Sequence, residues 1–232
     1  MNSKNAILFG GTGDLGTEIS ESLLANNYQL IITYRNEKKR KKLNRKLSLF
    51  KGRYNLIYCD LEKENLIKKT FSFAKKKFKN IDLIINTCGI FNYDNLNHLN
   101  YENILSTFKV NAFSLIIINR ELKRFKKNKN ISKIISIGSS SSLNGFKDTI
   151  TYCGSKHALT GIVKSLNQTI IKDKIINYCL NVGSLKNKMG KKVRNQNFNK
   201  FIDQKEVVKS IQFLLSIDPP GVPEDIFIRR FV

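Results

Sequence analysis

The sequence has few of the residues that build metal sites and disulfide networks. It contains two histidines, His98 and His157, and its four cysteines form no CxxC pair. Structural zinc sites usually combine four such ligands at short spacings. We therefore expect no metal, and the isolated cysteines favour a reducing compartment, the cytoplasm.

Long apolar runs are also missing. The longest, such as SLIIIN at 114–119, fall short of the roughly 18 residues that a membrane-spanning helix needs. The first residues, MNSKNAILFGG, contain no basic segment followed by a long apolar one, so we predict no signal peptide. The sequence therefore predicts no membrane partner.

Acidic residues are scarce: 18 Asp and Glu stand against 41 Lys and Arg, a net charge of +23. A nucleic-acid binder would carry such a charge and would bind in a salt-sensitive manner. The lysines are nevertheless spread along the chain, and the densest basic runs, 36–46 and 123–130, lack interleaved aromatic residues for base stacking. We therefore expect no nucleic-acid partner, although the positive field favours anionic substrates.

Short apolar segments alternate with amphipathic ones along the chain. The candidate strands are Ala6–Phe9, Gln29–Tyr34, Tyr54–Cys59, Leu83–Asn86, Lys133–Ile137, Ile175–Asn181 and Asp225–Ile228. Helical patterns cover 15–26, 36–49, 62–79, 99–127, 152–172 and 204–216. This alternation predicts one α/β domain over residues 1–232, with a doubly wound parallel sheet of about seven strands between two helical layers.

Two segments break the alternation. All three prolines, Pro219, Pro220 and Pro223, precede the last strand, where they predict a rigid turn. Residues 184–203 are polar with weak periodicity, which is typical of a flexible segment over a site.

Three glycines at a spacing of three, Gly10, Gly13 and Gly16, lie between the first strand and the first helix. Such a glycine loop lets a pyrophosphate approach the helix N-terminus, as in Rossmann-like dinucleotide sites. The alternative is a tight turn without a ligand. We predict cofactor contacts from the loop residues Gly10, Thr12, Gly13, Asp14, Leu15 and Gly16. The carboxylate of Asp14 would either cap the helix or face the pyrophosphate and weaken its binding.

The end of the second candidate strand lacks the acid that usually binds a ribose 2′-hydroxyl. The segment ITYRNEKKR places Arg35, Lys38 and Lys39 there instead. These cations would tolerate a 2′-phosphate, so we expect NADP(H) in preference to NAD(H), with Arg35 as a contact. The alternative is that they are solvated surface charges.

A second polar group lies at 131–159. Ser139 ends a strand, and Tyr152 and Lys156 are one helical turn apart. A neighbouring ammonium lowers the pKa of a phenol, and the phenol can then exchange a proton with a substrate oxygen. Because lysine is abundant, YxxxK alone is uninformative. The prediction depends on placing both groups at the ligand-binding edge of the sheet.

Taken in order, these motifs resemble the short-chain dehydrogenase/reductase family. Further matching segments are CDL at 59–61, NTCG at 86–89, KVNAF at 109–113, IGSS at 137–140, YCGSK at 152–156 and VGSLKNKM at 182–189. The resemblance extends from the first strand to the helix at 204–216. The chain departs from the family pattern at Asp14, at Thr87 and Cys88, and at Val182 and Asn187.

The resemblance implies the catalytic roles. Tyr152 would be the general acid, Ser139 would orient the carbonyl, and Lys156 would lower the tyrosine pKa and bind the nicotinamide ribose. Asn111 would hold a water that relays protons to Lys156.

Further cofactor contacts are also implied: Asp60 and Leu61 at the adenine, Asn86 and Gly89 at the ribose, and Gly183 near the nicotinamide, together with Tyr152 and Lys156. The implied activity is NAD(P)(H)-dependent interconversion of a ketone and a secondary alcohol, with a 3-oxoacyl thioester, a keto sugar or another small ketone as the small-molecule substrate.

The implied assembly is a homodimer or homotetramer through the helices at 99–127 and 152–172. The alternative to enzymatic activity is that the protein is a catalytically idle dinucleotide-binding sensor or scaffold.

Overall fold

The computed structural model describes residues 3–127, 130–219, 221–223 and 225–230. This part of the chain forms a seven-stranded parallel sheet in the order β3-β2-β1-β4-β5-β6-β7. The strands are β1 (Lys4–Phe9), β2 (Tyr28–Tyr34), β3 (Tyr54–Tyr58), β4 (Leu83–Asn86), β5 (Ser132–Ile137), β6 (Ile175–Val182) and β7 (Asp225–Ile228). The helices are α1 (Asp14–Ala25), α2 (Glu37–Lys46), α3 (Glu64–Lys77), α4 (Tyr101–Phe108), α5 (Ser114–Phe125), α6 (Ile150–Asn167), α7 (Ile170–Asp173) and α8 (Gln204–Ser216).

The strand order reverses between β1 and β4, which pair in parallel with Phe9 opposite Asn86. From this point the chain winds outward to β3 on one side and to β7 on the other. The crevice at the carboxyl ends of strands at such a reversal is where doubly wound sheets bind ligands. The predicted Rossmann-like α/β class is confirmed.

Each face of the sheet has its own buried cluster. Alternate residues of β1 point to opposite faces: Leu8 belongs to the cluster under α1 and α8, and Ile7 belongs to the cluster under α3, α5 and α6. Both side chains are fully buried. The burial of successive strand residues on both faces explains why the strands are apolar throughout.

Two predicted helices are interrupted, and the one at 152–172 divides into α6 and α7. The pattern at 99–127 divides into α4 and α5, which are joined by a π-helical turn at Lys109–Phe113. The apolar stripe continues through this turn, so periodicity alone does not reveal it. Such single π turns recur at functional sites, and this one contains Asn111.

The remaining irregular segments also have defined positions. Residues 184–203 contain two short 3₁₀ turns and a parallel bridge between Leu185 and Ile202. Of the proline turn, Pro219 and Pro223 lie within the described residues and Pro220 lies outside them. Among the described helices, none is both long and apolar enough to cross a membrane.

Candidate active site

Two of the predicted loop glycines cannot accept a side chain. Gly10 has a positive φ of 83°, and a Cβ there would lie 2.7 Å from Thr87 Oγ1. A Cβ on Gly16 would lie 2.4 Å from the carbonyl oxygen of Gly10. The backbone N–H of Gly10 donates to Thr33 Oγ1 at 3.1 Å, which ties the loop to β2. The glycine loop is therefore a tightly packed turn that brings bare backbone to the start of α1.

Gly11 is a third restricted position that the spacing rule missed. A Cβ on Gly11 would lie 2.1 Å from Ile32 Cγ2 on β2. Gly13, by contrast, has room, since its Cβ would meet only the Gly10 carbonyl at 3.4 Å. The motif alone does not show which of these glycines could accept a side chain, because that depends on how closely each one packs against β2 and β4.

Asp14 does not cap α1. The N-cap is Gly13, and no side chain closes the cap, so the free N–H groups and the positive end of the helix dipole remain at the loop. The Asp14 Oδ2 atom instead accepts a hydrogen bond from the backbone N–H of Lys188 at 3.0 Å. The carboxylate therefore joins the glycine loop to the segment 184–203, and the capping expectation is wrong.

A cavity of about 670 Å³ begins at this loop. Its lining unites most of the predicted cofactor residues: Gly10, Thr12, Gly13, Asp14, Leu15, Gly16, Arg35, Asp60, Leu61 and Gly89. Asn86 is not part of the lining; it is buried, and its Oδ1 accepts from the Cys88 N–H at 3.1 Å, which shapes the turn after β4.

Positively and negatively charged side chains lie together at the outer end of this cavity. The Arg35 guanidinium lies 3.7 Å from Asp60 Oδ1 and 3.9 Å from Glu62 Oε1, with its side chain 59% exposed. Lys39 also lines the cavity, whereas Lys38 is not part of the lining. The exposed Arg35 retains donors that are free to meet an anion, because the two ion pairs are long.

A second cavity of about 430 Å³ contains the predicted catalytic group Ser139, Tyr152 and Lys156, together with Gly183. It shares Thr87, Cys88, Gly89, Phe91, Ile137, Leu185, Asn187 and Met189 with the first cavity. The two spaces therefore adjoin, and together they connect the glycine loop to Tyr152.

Tyr152 and Lys156 are both shaped by burial. Burial raises the pKa of Tyr152, and a hydrogen bond with the Ser139 hydroxyl opposes that rise. Burial also lowers the pKa of Lys156 from 10.5 to about 8. The Lys156 Nζ lies 5.8 Å from the Tyr152 ring centroid and donates to the Ile137 carbonyl at 2.8 Å. The expected lowering of the tyrosine pKa by Lys156 is wrong for this arrangement, because desolvation dominates at Tyr152.

The side chain of Asn111 is occupied by its neighbours. Its Oδ1 accepts from the Ile90 N–H at 2.8 Å, and its Nδ2 donates to the Ile90 carbonyl and to Ser155 Oγ, both at 2.9 Å. This buried amide therefore clamps the chain after β4 against α6. Within the described part of the chain, the side chain of Asn111 makes no direct hydrogen bond to Lys156, and the water relay between them stays a prediction.

Aromatic contacts lead from Tyr152 to the segment 184–203. The ring of Phe91 packs edge-on against Tyr152 at 4.9 Å and against Tyr93 at 5.3 Å. The Arg194 guanidinium lies 4.3 Å from the Tyr93 ring centroid, and the Arg194 N–H donates to the Tyr93 hydroxyl at 2.7 Å. All four residues line the second cavity.

Sequence reasoning missed Arg194, since its position beside Tyr93 depends on a contact between distant segments. It also missed Asp94. The Asp94 Oδ2 accepts from the Thr151 N–H at 2.6 Å, so this carboxylate stabilises the first turn of the helix that carries Tyr152. An acid within a polar loop gives no signal of such a role.

The described residues give little support for a metal site or for a nucleophilic cysteine. No cluster of three or more His, Cys, Asp or Glu side chains in those residues could hold a metal ion. Cys88 lines both cavities, and burial raises its pKa to about 12. The thiol is therefore neutral at ordinary pH, whereas nucleophilic cysteines act as thiolates.

Comparisons with known proteins agree with this arrangement. The chain matches the short chain dehydrogenase family over residues 4–197. Carbonyl reductase family member 4 of Xenopus laevis is 26% identical over 219 residues, which cover 92% of this chain and 91% of that protein. The 3-oxoacyl-(acyl-carrier-protein) reductase FabG of Buchnera aphidicola is 29% identical over 226 residues, which cover 93% and 91%.

A solved structure, ElxO with NADP bound, has a TM-score of 0.87 at 22% identity and covers 98% of this chain and 97% of that chain. At this identity the likeness supports the fold. The family match spans most of the chain, and the two relatives above are named as reductases. The chain therefore belongs to the short-chain dehydrogenase family and is an oxidoreductase with an NAD(P)-binding Rossmann fold.

Proposed function

We propose that the protein reduces a ketone to a secondary alcohol with NADPH, or catalyses the reverse oxidation. The observation that carries the proposal is the junction of the two cavities, which places the Ser139–Tyr152 pair at the inner end of a cleft that begins at the glycine loop. A dinucleotide has its phosphates at one end of this path and its reactive ring at the other.

The loop suits a pyrophosphate. Gly10 and Gly16 leave no space for a Cβ, and the N-terminus of α1 has no side-chain cap. Backbone N–H groups of this kind bind phosphate oxygens. The remaining loop residues, with Asp60, Leu61 and Gly89, would hold the adenosine and ribose parts. When bound, the reduced nicotinamide supplies a hydride.

The proposed preference for NADP(H) depends on Arg35 and Lys39, which line the outer end of the first cavity. A 2′-phosphate there would gain charge-assisted hydrogen bonds. The solved ElxO structure with NADP bound gives general support, since it shares the fold.

We assign the proton transfer to Tyr152. Its raised pKa keeps the phenol protonated at neutral pH, so it can donate a proton to a substrate oxygen. Ser139 would donate a second hydrogen bond to the same oxygen, which stabilises charge that develops there. The buried ammonium of Lys156 would bind ribose hydroxyls through charge-assisted hydrogen bonds. Asn111 would act through the backbone of Ile90, because its side chain is committed to that contact.

For the substrate we propose a 3-oxoacyl thioester. The second cavity has aromatic walls at Phe91 and Tyr93, and the cations Lys147 and Arg194 also line it. An acyl chain matches the apolar walls, and the phosphate on the carrier arm of such thioesters matches the cations. The Buchnera relative is named as a 3-oxoacyl reductase, which agrees with this choice over a keto sugar.

We also propose a homodimer or homotetramer in the cytoplasm. Tyr101 on α4, Phe113 at the end of the π turn and Ile116 on α5 are 71%, 42% and 44% exposed, which favours burial against a second copy. The four cysteines are free thiols, as in reducing compartments. Light scattering of the purified protein gives the assembly size.

Turnover by the purified protein tests the proposal. Loss of absorbance from NADPH or NADH is followed with a 3-oxoacyl thioester, the matching short 3-oxo acid, a keto sugar and a neutral ketone. We expect the thioester with NADPH to react fastest. NADPH binding with no turnover on any substrate would favour an idle dinucleotide-binding sensor.

A further inference from the structure

Asn181 on β6 lies beside the backbone that carries Ser139. Its side chain is fully buried, and its Oδ1 accepts the Ser139 N–H at 3.2 Å. Regular pairing of β5 with β6 ends at Ile137 opposite Leu180. Just past that end, the Asn181 amide continues the connection between the two strands.

Asn181 and Gly138 are interlocked. A Cβ on Gly138 would lie 2.1 Å from the Asn181 Oδ1 atom, so the amide occupies the space that a side chain at 138 would need. The Gly138 N–H donates to the Leu180 carbonyl at 2.8 Å. A larger residue at 138 would therefore displace either this backbone or the amide that holds Ser139.

The hydrogen bond between the Asn181 amide and the Ser139 N–H helps to fix the direction of the Ser139 hydroxyl. Ser139 is the N-cap of the short 3₁₀ turn Ser140–Ser142, and its Oγ accepts from the Ser141 N–H at 3.1 Å. Its own N–H is shared between Asn181 Oδ1 and Ser142 Oγ, both at 3.2 Å. With its backbone and its Oγ both held, the hydroxyl has little freedom to leave Tyr152.

The side chain of Asn181 is not explained by a contribution to stability. Its Nδ2 is buried and has no hydrogen-bond partner within the described part of the chain. An unpaired buried donor destabilises a fold, whereas an apolar side chain of similar shape would not. A role in the site explains why a polar group stands there.

We propose that Asn181 is a positioning residue for Ser139, which holds the serine hydroxyl in line with Tyr152. The inference rests on the proposed function, since it assumes that Ser139 contacts the substrate oxygen. It assigns Asn181 no contact with substrate or cofactor, because Asn181 is not part of the lining of either cavity.

The test compares Asn181→Leu with Ser139→Ala and with Cys179→Ala. The Cys179 thiol donates to the same Asn181 Oδ1 at 3.4 Å, so its loss disturbs the same buried neighbourhood without releasing Ser139. We expect Asn181→Leu to lower kcat about tenfold, with KM, the NADPH dissociation constant and the melting temperature little changed. Cys179→Ala should lower the melting temperature and leave kcat unchanged.

If Asn181→Leu folds poorly, a double-mutant cycle between positions 138 and 181 tests the proposal in its place. A Cβ on Gly138 would also lie 2.9 Å from Cys179 Sγ, so the cycle is made in the Cys179→Ala background. There Gly138→Ala should lower kcat by colliding with the amide, and it should add no further loss once Asn181→Ala is also present. Independent effects on kcat would overturn the proposal, as would full kcat in Asn181→Leu while Ser139→Ala is inactive. Full activity of Ser139→Ala would instead refute the proposed role of the serine.

Discussion

The carboxylate of Asp14, in the glycine loop, accepts a hydrogen bond from the backbone N–H of Lys188 at 3.0 Å, across 174 residues of sequence. This bond joins the two walls of the cleft. Asp14→Ala should therefore loosen segment 184–203 and speed both hydrogen exchange at 185–190 and NADPH release. Asp14→Asn keeps an acceptor oxygen and should behave nearly as wild type. Unchanged exchange in the alanine variant would show that the bond does not restrain the segment.

The packing of the glycine loop gives a matched pair of variants. A Cβ on Gly16 would lie 2.4 Å from the Gly10 carbonyl, whereas a Cβ on Gly13 would lie 3.4 Å from it. Gly16→Ala should cost about 1–3 kcal/mol of unfolding free energy, as overpacking does, and weaken NADPH binding. Gly13→Ala should cost less than ~1 kcal/mol. Urea unfolding measures both, and equal costs would contradict the geometry of the loop.

Cofactor choice is tested at Arg35, which lines the outer end of the cleft. Arg35→Ala should raise the dissociation constant of NADPH about tenfold, since a charge-assisted bond contributes about 1.5 kcal/mol or more. The constant for NADH should change little. Lys38→Ala serves as the control, because Lys38 does not line the cavity. Equal losses for both nucleotides in Arg35→Ala would refute the NADP(H) preference.

Lys156 predicts a specific pH dependence of stability. Its pKa is lowered from 10.5 to about 8 in the folded protein, so within that window the unfolded chain binds a proton that the folded chain does not. The contribution of Lys156 to the free energy of unfolding therefore rises with pH, by up to about 1.4 kcal/mol per pH unit. Relative to Lys156→Met, which lacks the group, the wild type should gain stability as pH rises.

Urea unfolding of both proteins between about pH 8 and pH 10 makes this measurement. Lys69→Met, on the exposed face of α3, controls for the loss of one surface charge. A difference between wild type and Lys156→Met that stays constant with pH would contradict the burial of the ammonium.

The strands and the glycine loop were predictable from sequence because their causes are local. Strands buried on both faces need continuous apolar runs, and the reversal of strand order follows from alternation with helices. All seven predicted strands are present, with ends that differ by no more than two residues. Ser139, Tyr152 and Lys156 were placed in one cavity for the same reason, since the ends of parallel strands meet at one edge.

The rest depends on contacts between distant segments. Nothing near Asp14 in sequence indicates Lys188, and the motif around Val182 gives no weight to Asn181. The π turn at Lys109–Phe113 is hidden because the apolar stripe continues through it. The direction of the Tyr152 pKa shift depends on burial, which spacing cannot supply.

Proton transfer by Tyr152 is tested most directly with Tyr152→Phe. The substitution removes the phenol oxygen and keeps the ring that packs against Phe91. Turnover of the best ketone should fall by about 100-fold or more, the range expected for loss of a general acid. NADPH binding, measured by titration of cofactor fluorescence, should stay close to that of the wild type. Retained turnover, or loss of NADPH binding in its place, would contradict the assignment.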